Sequence, residues 1–180
     1  AGVILLAAWP IYGPGNQTPP PSSAGGSGAL GVSGVDLTSM TPREAADRLY
    51  DRIMTSLAAG KQDEVLSFLP MSIAAYERAG PLDPDGANHL ATLLLEAQRP
   101  EEALAVSVQA LEDAPDHLLA LSSAAAAAAL LGDDDAARRY SQHLLDVWET
   151  EMAENRPEYL AHQRLMPIIR SAAEEFLSGG

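Results

Sequence analysis

No cysteine occurs anywhere in the 180 residues. That excludes disulfides, thiolate zinc sites, haem attachment through Cys and a lipidated cysteine anchor. Aromatic residues make up only 5% of the chain, while hydrophobic residues reach 47%. Alanine and leucine therefore supply the apolar surface, which favours close-packed helices over a sandwich or barrel. Basic residues are scarce as well, 11 against 25 acidic ones, for a formal charge of -14. Phosphate contacts need clustered Lys and Arg, so nucleic acid is not an expected partner. The sequence contains no HExxH, phosphate-cradling glycine loop or nucleophile elbow. Adjacent carboxylates such as Glu101-Glu102 and Glu174-Glu175 splay apart on helices and are solvated. The four histidines, His89, His117, His143 and His162, show no spacing typical of a metal site. No catalytic residue, cofactor or metal is expected.

What the chain does have begins with AGVILLAAWPIY, residues 1–12, which carries no charge. Twelve helical residues span roughly 18 Å, short of the roughly 30 Å hydrocarbon core of a bilayer. Its closing Trp9 and Tyr12 fit the aromatic belt at a membrane interface, where Pro10 and Gly13 would stop a helix leaving the bilayer. Two other readings fit the same run: an apolar tail docked on protein, or part of a signal peptide without its basic start. The membrane anchor is the favoured expectation. Residues 13–40 then form a linker rich in Gly, Pro and Ser, whose composition cannot offset the entropy of ordering.

Folding signals start at Thr41-Pro42-Arg43-Glu44, a capping box with proline in the first turn. Apolar Ala46, Leu49, Tyr50, Ile53, Met54 and Leu57 follow on one helix face. A second helix is expected from about Gln62 to Arg78, bent or broken at Pro70. Asp83 should cap a third helix, Pro100 open a fourth, Asp116 start an Ala-rich fifth and Asp133 a sixth. Asp83-Pro84-Asp85-Gly86 has the opening of a calcium loop without its later ligands, and is read as a cap. The run Ala124–Ala129 is read as a helix buried between neighbours. A last helix from Pro157 to Phe176, kinked at Pro167, is expected to cap the stack and cover Trp148 and Tyr140.

Across these helices runs a 34-residue self-similarity. Pro81 recurs as Pro115, Ala91 as Ala125, Ala103 as Ala137 and Leu111 as Leu145. A divergent first unit aligns Ala59 with Ala97, an offset of 38, with the extra residues assigned near Pro70. These hairpins resemble tetratricopeptide repeats over roughly residues 42–152, through Leu90-Ala91, Leu94, Ala103, Ala110-Leu111, Pro115, Gly132 and Leu145. Ala87 and Leu121 stand where that family often has Trp.

The resemblance implies an all-α fold, three antiparallel helix pairs over 41–153 with a capping helix over 154–180. It also implies a concave groove lined by Asp85, Asn88, Thr92 and Glu96 of one helix and by Leu119, Ser122 and Ala126 of the next. Family members that capture acidic peptide tails use Lys, Arg and Asn, and Asn88 alone matches. The function expected is a non-enzymatic scaffold, a membrane-tethered accessory subunit whose partners are other, membrane-embedded, protein subunits. With no Lys or Arg between the apolar run and Arg43, the folded domain is expected on the extracytoplasmic, periplasmic side. The alternative is a soluble adaptor or chaperone-like module holding a peptide or helix in the groove.

Overall fold

A computed structural model describes residues 40–179. Among them are eight helices and no strand: α1 (Pro42–Ala58), α2 (Gln62–Arg78), α3 (Pro84–Glu96), α4 (Pro100–Asp113), α5 (Leu118–Leu130), α6 (Asp134–Ala153), α7 (Pro157–Ala161) and α8 (Met166–Ser178). The protein is all-α. Trp9, Tyr12 and most of the linker lie outside the described residues.

The helix starts follow from local chemistry. Thr41 Oγ1 accepts from the Glu44 amide while the Glu44 carboxylate accepts from the Thr41 amide, closing the capping box. Asp83 accepts from the Gly86 amide at 2.8 Å and Asp133 from the Ala136 amide at 2.9 Å. At α5 the cap is His117, not Asp116: its Nδ1 accepts from the Ala120 amide at 3.3 Å. Asp116 instead pairs with His143 at 2.7 Å.

One turn closes three of the helices. After α1, Gly60 donates to Leu57 and Lys61 to Ser56; after α3, Gln98 donates to Leu95 and Arg99 to Leu94; after α5, Gly132 donates to Ala129 and Asp133 to Ala128. Each is a Schellman turn with a left-handed residue, φ +67° at Gly60, +57° at Gln98 and +75° at Gly132. Counted from turn to turn, the chain advances 38 and then 34 residues. The surplus of the first unit is three residues in α2, 17 long against 14 in α4, and one in the connection 79–83 against 114–117.

Two prolines act differently from a simple helix breaker. Helix α2 runs through Pro70 without a break. Pro70 and Leu66 are both exposed, so the carbonyl left without an amide partner faces water. The last helix is not one kinked rod: it stops at Ala161, and α8 begins at Met166 with Pro167 in its first turn, where no amide is needed.

Packing is sequential. Helix α1 pairs with α2, α3 with α4 and α5 with α6, while α4 lies on α5 and α8 on α6; α3 also touches α1 and α5. Ala91, Ala103, Ala124 and Ala127 are fully buried, and small side chains let these backbones approach. One core joins Tyr50, Ile53, Leu69, Ile73, Tyr76, Leu93 and Leu94. A second joins Leu118, Leu121, Leu144 and Trp148 to Tyr159, Met166 and Ile169 of the C-terminal segment. Trp148 is thus covered by α8, and Tyr140 packs beside the same core.

Candidate functional site

The densest polar cluster of the described residues forms where α1, α2 and α3 meet the turn after α7. Helix α1 contributes Arg43, Asp47 and Tyr50, helix α2 contributes Tyr76, and α3 contributes Asp85 and His89. The turn contributes His162. Arg43 is the hub: its Nε lies 2.9 Å from both Asp47 oxygens, and its terminal nitrogens reach Asp83 at 2.6 Å and Asp85 Oδ2 at 3.4 Å. Gly86 makes room for this. A Cβ there would sit 2.2 Å from an Arg43 nitrogen, so even alanine would make the guanidinium shift.

His89 is held on all sides. Tyr50 stacks on its ring at 3.9 Å between centroids. Its Nδ1 lies 2.9 Å from the Tyr76 hydroxyl and 3.3 Å from Asp47 Oδ1. Tyr76 has one hydroxyl proton and donates it to Asp47 at 2.5 Å. The Tyr76 oxygen therefore accepts from His89 Nδ1, and in the neutral ring this leaves Nε2 with a lone pair. Burial alone would raise the Asp47 carboxyl, but the contacts from His89, Tyr76 and Arg43 hold it down at about 2. Burial, then the hydrogen bond to Asp47, push the Tyr76 phenol well above its ordinary value.

Beyond that lone pair lie His162 Nε2 at 3.3 Å and Asp85 Oδ1 at 3.8 Å, with His162 Nε2 and Asp85 Oδ1 3.6 Å apart. Both imidazoles are about nine-tenths buried. Asp85 Oδ1 is buried and makes no hydrogen bond. Burial would raise the Asp85 carboxyl; His162, then the charges of His89 and Arg43, keep it below the ordinary range.

A second cluster ties α7 to α5 and α6. Tyr159 donates to Glu151 at 2.8 Å and accepts from the Leu118 amide at 2.9 Å, and Arg156 donates to Glu151 at 2.9 Å. Fully buried His117 directs Nε2 toward Glu158 at 3.4 Å without a hydrogen bond.

The residues expected to line a groove divide between interior and surface. Asn88, Thr92 and Leu119 are buried, and Asn88 accepts a hydrogen bond from Ser123 at 2.9 Å. Asp85, Glu96, Ser122 and Ala126 are half-buried. Only Asp85 joins the polar cluster. The histidine pair was hidden from sequence reading because 73 residues separate its members. One half was visible: Asp85 and His89, four apart, share a helix face.

No family model, characterised protein or solved structure matches this chain.

Proposed function

We propose that the chain is a non-enzymatic protein-interaction scaffold of tetratricopeptide-like type, a membrane-tethered accessory subunit of a larger assembly. The observation that carries the reading is the recurring Schellman turn at Gly60, Gln98 and Gly132, each joining the two helices of one pair. A chain whose units touch mainly their neighbours builds an extended surface rather than a central cleft, and such surfaces hold other proteins. The contacts of α3 with α1 and α5 support a stack whose first helices line one side. Burial of Asn88 and Thr92 favours this scaffold over an adaptor that reads a peptide with those side chains.

The tether rests on residues 1–35 and their sequence. No described helix is long and apolar enough to cross a membrane. The test is gentle detergent extraction of native membranes, then native separation and mass spectrometry of co-migrating chains. Co-migration with integral membrane proteins through high salt, lost on deletion of residues 1–35, is expected. Recovery as a free 18.9 kDa protein in the soluble fraction would overturn the reading.

A further inference from the structure

We propose that Asp85, His89 and His162 bind one divalent transition-metal ion of the zinc class, which staples the turn after α7 to helix α3. The ligand atoms are Asp85 Oδ1 and the two Nε2 atoms, and they lie within 4.8 Å of one another. A point equidistant from the three sits about 2.1 Å from each, the length of a Zn–N or Zn–O bond.

Proton counting favours an ion over a purely hydrogen-bonded cluster. Tyr76 holds a proton on His89 Nδ1, so in the neutral ring His89 Nε2 and Asp85 Oδ1 are two acceptors facing one another. His162 Nε2 can bring one proton, enough for one of them, which leaves the other buried acceptor without a donor. A cation satisfies all three lone pairs at once. The surroundings suit it: Asp47, Asp51, Asp83 and Asp85 outnumber Arg43 and Arg48. The outer contacts are those of a built metal site, the Tyr76 hydroxyl backed by Asp47 on the far nitrogen of His89 and Arg43 on the far oxygen of Asp85.

The donor set chooses the ion class. Two imidazoles and one carboxylate suit zinc and its neighbours, whereas magnesium and calcium take oxygen ligands. Three protein ligands leave a fourth position for water. Since His162 follows α7 and Asp85 opens α3, the ion would close the C-terminal segment over the first half of the stack.

The test uses the full chain, freed of metal with a chelator and titrated with zinc by calorimetry. One ion per chain is expected, with a higher melting temperature, and calcium or magnesium should not replace it. His162→Ala and Asp85→Asn should each weaken binding at least about tenfold, while His143→Ala leaves it unchanged. In the unmodified chain, zinc should shift the ring resonances of His89 and His162 and not those of His117 or His143. That measurement holds even if a variant fails to fold. Absence of saturable zinc binding, or binding that shifts His143 instead, would overturn the site.

Discussion

His117 shows how one side chain carries a local and a global role together. As the cap of α5 its Nδ1 accepts from Ala120, so the ring is neutral with its proton on Nε2. Burial lowers its pKa, against which the nearby charge of Glu158 and Asp85 acts, with Arg156 adding to the lowering; the uncharged Tyr159 ring packs beside it. The folded protein therefore binds this proton less readily than the unfolded chain, whose ordinary histidine titrates near ~6.5. Its contribution to stability is present above that pH and is lost as pH falls below it. Urea midpoints measured between about pH 8 and 5 should fall on the acid side. In His117→Asn, which keeps a capping oxygen, that fall should be shallower. Equal slopes in both proteins would contradict the assignment.

At the scale of elements, capping residues and turns were legible in the sequence because their chemistry is local. Thr41, Asp83 and Asp133 cap as their types predict. Gln98 was less legible, since a left-handed conformation favours glycine and here glutamine adopts it, as Gly132 does in the next unit. Pro70 does not break α2, for a physical reason. Whether proline breaks a helix depends on what faces the freed carbonyl, and exposure is settled only by packing. Because α2 keeps its proline at the cost of one hydrogen bond, Pro70→Ala should stabilise the protein by roughly 1–3 kcal/mol. Thermal or chemical denaturation checks this, and an unchanged or lower midpoint would mean that the ring itself packs usefully.

Over the whole molecule, the C-terminal segment does more than cover an end. Tyr159, Met166 and Ile169 enter the same core as Leu118, Leu144 and Trp148. Burying such a side chain contributes about 1.5–3 kcal/mol, so a chain ending before Pro157 should lose a large part of its stability. Two-state unfolding followed by circular dichroism and Trp fluorescence would show it. A truncated chain that melts with the full-length protein would reduce α7 and α8 to a passive appendage.

Sequence alone determined the helical class, the 34-residue period and the position of nearly every helix start, because caps, prolines and apolar spacing act within a few residues. Tertiary structure alone decided that Asn88 and Thr92 turn inward, that α2 survives Pro70, and that His162 arrives beside Asp85 and His89. Those outcomes depend on which faces meet after residues distant in the chain have packed, and no local pattern encodes that meeting.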